Sequence, residues 1–132
     1  DNTQLADKKI KRVVLCSGKV YYDLFEEREK REINDVYIMR VEQLFPFPDK
    51  ALSTELARFG GAEIVWCQEE PKNMGGWSFV APEIDTVMEA LGTKQRRVRY
   101  VGRPASASPA TGLYKRHIKE QAKLVDEALS FS

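Results

Sequence analysis

The sequence predicts an α/β domain in which a parallel or largely parallel sheet carries helices on both faces. Two observations point there. Short apolar runs alternate four times with longer stretches whose apolar residues recur at helical spacing. Glycine, proline or asparagine marks the joins between them. Connections of this kind are right-handed crossovers, which set binding regions at the carboxyl ends of the strands.

The first run, Val13-Val14-Leu15-Cys16, is continuous and apolar, as in a strand covered on both faces. Ser17-Gly18 breaks it. From Val20 to about Arg31, Val20, Tyr21, Leu24, Phe25 and Arg28 form a helical stripe among good helix formers. Asn34-Asp35 turns the chain into a second strand, Val36 to Met39. The prolines of Leu44-Phe45-Pro46-Phe47-Pro48 exclude regular helix there. Pro48 and Asp49 suit a helix start, and Gly60-Gly61 ends the short helix that follows.

Ile64-Val65-Trp66-Cys67 reads as the third strand, followed by the charged, glycine-bearing loop Glu69 to Gly76. A helix is expected from about Trp77 to Leu91, with Pro82 setting its first part apart as a separate turn and Gly92 stopping it. Arg97 to Val101 alternates charged and apolar residues like an edge strand. Gly102 to Gly112 is a loop of small residues and prolines. The final helix carries one stripe, Tyr114, His117, Ile118, Gln121, Leu124, Val125, Ala128 and Leu129.

A chain of 132 residues suits one domain, with residues 1–10 read as a linker remnant and 11–132 as the domain. Its 42% hydrophobic and 31% charged residues are ordinary for a globular protein. A net charge of +1 gives no global field for nucleic acid or an anionic membrane, so neither is expected as a partner. No stretch approaches the ~20 apolar residues of a membrane-spanning helix, and the polar start lacks a secretory signal. Cys16 and Cys67, each inside an apolar run, read as buried free thiols in a reducing cytoplasm.

Chemistry is sought at the strand ends, Ser17-Gly18-Lys19, Arg40 to Gln43, Gln68 to Asn73 and Arg103 to Thr111. A single histidine, His117, sits mid-stripe on the last helix and reads as packing or hydrogen bonding, so no nucleophile–base set can be built. No cysteine or histidine spacing suits a metal. Ser17-Gly18-Lys19 lacks the second glycine of a phosphate loop. Glu69 and Glu70 are a poor acid–base pair, being sequence neighbours, and suit acceptance of hydrogen bonds from arginine or backbone N–H. Arg103 opens a run of small side chains, including Ser106, Ser108 and Thr111, that another backbone or a ligand can approach closely. Lys94, Arg96, Arg97 and Arg99 form a basic cluster without interleaved aromatics, as on a solvated or domain-facing edge.

Four segments in order, VVLCSGKVYYDL, RVEQLFPFP, WCQEEPKNMGGW and YVGRPASASPATG, resemble the C-terminal domain of the 2-oxoglutarate dehydrogenase decarboxylating component, in a form closer to bacterial than animal members. The resemblance runs from about Lys11 to Leu129. It implies a three-layer α/β unit like the transketolase C-terminal domain. It also implies a full-length enzyme that decarboxylates 2-oxoglutarate and passes succinyl to the lipoyl arm of the second component of a multienzyme complex in the tricarboxylic acid cycle. Thiamine diphosphate and Mg²⁺ would be held by preceding domains at a homodimer interface, with no cofactor or catalytic residue in this segment.

The expected role is therefore assembly against the preceding domains and the homodimer partner. Lys19, Phe45, Phe47, Glu69, Glu70, Lys72, Asn73, Arg103, Ser106, Ser108 and Thr111 are the candidate contacts. Phe45 and Phe47 would be the apolar anchors, Glu69 and Glu70 would meet partner donors, and Arg103 would approach another backbone. The rival is a regulatory module holding a nucleotide or acyl-CoA at the same strand ends.

Overall fold

The computed structural model describes residues 7–105 and 114–131. Four parallel strands, β1 (Arg12–Cys16), β2 (Val36–Arg40), β3 (Glu63–Gln68) and β4 (Arg99–Gly102), form one sheet in the order β2-β1-β3-β4. Four α-helices connect or follow them: α1 (Val20–Lys30), α2 (Asp49–Leu56), α3 (Trp77–Leu91) and α4 (Tyr114–Leu129). The sheet is fully parallel among the described residues, and helices cover both faces, which makes three layers.

Alternate residues of the central strands feed two cores, as the period of two demands. Val13, Leu15, Ile64 and Trp66 pack with α2 and α3, whereas Val14, Cys16, Val65 and Cys67 pack with α1 and α4. Every residue of β1 is buried, and so is β3 after Glu63, so these strands read as continuous apolar runs. Residues 7–10 lie against the domain: Asp7 pairs with Arg58 at 2.7 Å, and Ile10 joins the α2/α3 core.

Two expectations are corrected. Pro82 lies inside an unbroken α3 and does not divide it. The carbonyl deprived of its partner belongs to exposed Ser78, the second residue of the helix, where water can serve it. The last strand begins at Arg99, two residues later than its alternation suggests, because the Asp85 carboxylate takes the Val98 N–H at 2.7 Å. β4 is an edge strand.

Both α1 and α3 end in paired 6→1 and 5→2 backbone bonds. At α3 these run from Thr93 N to Met88 O and from Gly92 N to Glu89 O, with Gly92 at φ +70°. At α1 they run from Ile33 N to Arg28 O and from Glu32 N to Glu29 O. There the left-handed position, φ +56°, falls on Glu32.

Candidate functional site

The chain leaves β1 on one side to form β2, then returns past β1 to form β3 and β4. The reversal opens a crevice between the carboxyl ends of β1 and β3, the place where open α/β sheets bind. A cavity of about 380 Å³ lies there, bordered by Ser17 and Gly18 after β1, Trp66 and Gln68 of β3, and Phe45 and Phe79.

Gln68 builds its floor. The side chain is 2% exposed and all its hydrogen-bonding capacity is used. Its Nε2 donates to the carbonyls of Glu70, Pro71 and Met74 at 3.1, 3.0 and 2.8 Å. Its Oε1 accepts from Trp66 Nε1 at 2.9 Å and from the Trp77 N–H at 3.0 Å. One amide thus folds the loop from Glu70 to Met74 back onto the strand and fixes the start of α3. A Cβ on Gly76 would lie 2.9 Å from Leu44 Cδ1, so the loop packs tightly beneath Phe45.

The two phenylalanines of the proline-rich segment part company. Phe47 turns inward and packs against the α2/α3 core. Phe45 is 81% exposed, its ring edge-on to the 40%-exposed Phe79 with centroids 6.0 Å apart. The Phe45–Pro46 peptide is cis.

Lys19, Glu69 and Lys72 are bound within the chain. Glu69 Oε1 accepts from Lys19 Nζ at 3.1 Å and from Gln121 Nε2 at 2.9 Å. Lys72 takes the Arg103 carbonyl with its backbone N–H, and its ammonium lies 5.4 Å from the Tyr100 ring and 6.0 Å from the Trp77 ring. Glu70 and Asn73 are exposed, and Glu70 borders the crevice.

Arg103 is buried at 7% exposure and turned toward its own chain. Its guanidinium donates to the Glu69 carbonyl, to Gln121 Oε1 at 3.1 Å and to Glu120 Oε1 at 3.3 Å. A further contact, 3.3 Å, reaches His117 Nδ1. Arginine only donates, so this contact sets Nδ1 as acceptor and the imidazole proton on Nε2. Arg103 thus ties the end of β4 to the end of β3 and to α4. Ser106, Ser108 and Thr111 lie outside the described residues.

No reactive group emerges among the described residues. Burial pushes the Cys16 thiol up to about 12 and raises that of Cys67, which keeps both from the thiolate form. They are register partners on β1 and β3, both free. No three histidine, cysteine, aspartate or glutamate side chains among the described residues gather to hold a metal. The crevice borders include Glu70 but no described lysine or arginine, a poor setting for a phosphate group. No described helix is long and apolar enough to cross a membrane.

Comparison with known sequences decides the family. The family described as "2-oxoglutarate dehydrogenase C-terminal" matches residues 1–129. The chain belongs to that family. Among its curated relatives, the 2-oxoglutarate dehydrogenase E1 components of Brucella anthropi and Brucella ovis are each 64% identical over 123 residues. That overlap is 93% of this chain but 12% of either relative, so the chain spans about an eighth of their length. A solved structure titled "Solution structure of a phosphate-loop protein" is similar at TM-score 0.46 and 18% identity, over 90% of this chain and 89% of its own. That likeness carries no argument.

Sequence reasoning did not single out Gln68 as a builder of the site or Phe79 as the neighbour of Phe45. The signal for Gln68 was present: it follows Trp66 by two residues, on the same face of a strand.

Proposed function

We propose that this chain is an assembly domain of a 2-oxoglutarate dehydrogenase E1 chain, docking on the preceding domains and the homodimer partner through its strand-end crevice. One observation carries the reading. Phe45 stands 81% exposed against Phe79 at the mouth of an apolar crevice, on a segment whose Leu44 packs on Gly76 at the start of α3. An exposed aromatic side chain over a concavity is the type that often dominates protein contacts.

In this reading the full-length enzyme oxidatively decarboxylates 2-oxoglutarate and transfers succinyl to the lipoyl group of the second component. Thiamine diphosphate and Mg²⁺ belong to the preceding domains. The described residues here do not fit them, since they offer no gathered carboxylates for the metal and no cation at the crevice for a diphosphate. Arg103 and Glu69 act as positioning residues, holding the strand ends in register with α4.

The test is Phe45→Asp in the full-length enzyme, with dimer dissociation followed by sedimentation. A rise of about 30-fold in the dissociation constant, equivalent to about 2 kcal/mol, is expected for an anchor. An unchanged constant together with unchanged activity would refute the reading. Calorimetry with AMP and acetyl-CoA tests the rival, and binding tighter than about 100 μM would favour a regulatory module.

A further inference from the structure

The connector from α3 into β4 lies at the amino ends of the strands, away from the crevice. Side chains pin its backbone. Gln95 Nε2 donates to the carbonyls of Ile64 and Arg97, each at 2.7 Å, while its Oε1 accepts the Ile64 N–H at 2.7 Å. Thr93 Oγ1 donates to the Gln95 carbonyl at 2.7 Å, and Asp85 holds Val98 N at 2.7 Å. A segment held at so many points presents its outward side chains from a fixed base.

Those side chains are Lys94, Arg96 and Arg97, all exposed. The other eight arginines, among them Arg99, each share a salt bridge within the chain. Lys94, Arg96 and Arg97 have no such partner among the described residues. They border two adjoining hollows of about 420 and 470 Å³ that share Thr93 and Gln95. Lys11 borders the second but is paired with Asp35 at 4.0 Å, and the one carboxylate of that hollow, Glu63, is already taken by Arg12 and Arg99. Glu89 is the one carboxylate of the first. A chain of net charge +1 thus gathers on one edge a strip of three cations, Lys94, Arg96 and Arg97, without an ion-pair partner among the described residues.

We propose that this strip docks an acidic segment of a protein, its carboxylates spaced along Lys94, Arg96 and Arg97. Guanidinium forks match carboxylates. The cations are spread along an edge and do not converge on one point as they would around a phosphate. Glu89 also works against a tightly held dianion, and among the described residues no aromatic ring lines the hollow of Arg96 and Arg97, while Phe131 of the adjoining one is stacked on Arg12. The proposal stands apart from the crevice reading, because it concerns the opposite end of the sheet.

A labelled hexaglutamate peptide added to the 132-residue chain at low salt, followed by fluorescence anisotropy, tests it. The double variant Arg96→Ser/Arg97→Ser should weaken binding about tenfold, as the loss of two exposed pairs implies, and added salt should weaken the parent. Removing equal charge elsewhere, with Lys30→Ser/Lys50→Ser, should change it less than about twofold. Should the serine variant lose thermal stability, Arg96→Lys/Arg97→Lys decides instead and should retain most of the affinity. Failure of the parent to bind, equal losses in both serine pairs, or tighter binding of an oligothymidylate than of hexaglutamate would each overturn the proposal.

Discussion

Gln68 pins the crevice floor, and its removal strands the Met74 carbonyl, an indole N–H and the first N–H of α3, while the carbonyls of Glu70 and Pro71 keep only the Tyr100 hydroxyl and the Met74 N–H. Gln68→Ala should cost about 3 kcal/mol, measured by urea unfolding, since several buried groups lose their partner at once. Gly102 is fixed by close approach: a Cβ there would sit 2.6 Å from the Gln68 carbonyl oxygen and 2.7 Å from the Tyr100 hydroxyl. Gly102→Ala should therefore destabilise by about 2 kcal/mol. The opposite sign is expected at Glu32, where glycine would relieve a left-handed backbone and raise stability by about 1 kcal/mol. The inward face of a site was the least legible part of the sequence. Phe45 and Phe47 look equivalent in LFPFP, yet one is core and the other surface. Arg103 reads as an outward cation until α4 supplies Glu120 and Gln121 for it to bind.

The elements were legible because their periodicity is strong. α1 buries Val20, Leu24 and Arg28 of its stripe, and α4 buries Leu124, Val125, Ala128 and Leu129. What the pattern could not carry was competition from side chains for backbone groups, as at Val98. Nor could it show how distant elements are tied. Arg12, 4% exposed, reaches across to donate to the carbonyls of Glu127, Ala128 and Ser130, closing the end of α4 with a positive charge where the helix dipole favours one. The same Arg12 and Arg99 grip Glu63 at 2.7 and 2.8 Å. Burial raises the Glu63 pKa, but hydrogen bonds from the two guanidiniums outweigh it and hold the carboxyl below its ordinary value. A depressed pKa contributes stability that is present above the unfolded value, near 4.5, and is lost as the pH falls through the folded value. Unfolding measured across that acid range should show Glu63→Gln with a flatter decline than the parent.

At the scale of the molecule, the reversal of strand order both makes the crevice and divides the core in two. Fold class, strand order in sequence and the strand-end location of the candidate crevice follow from alternating apolar runs. The choice between Phe45 and Phe47 as the proposed anchor follows only from packing. Because Phe45 contributes little to that packing, Phe45→Asp should shift the stability of the isolated chain by no more than about 0.5 kcal/mol. Amide hydrogen exchange around Leu44, Phe45 and residues 76–79, compared between this chain alone and the full-length enzyme, is the most direct test of docking. Strong added protection of those amides in the full-length enzyme is the predicted result, and equal exchange in the two would contradict it.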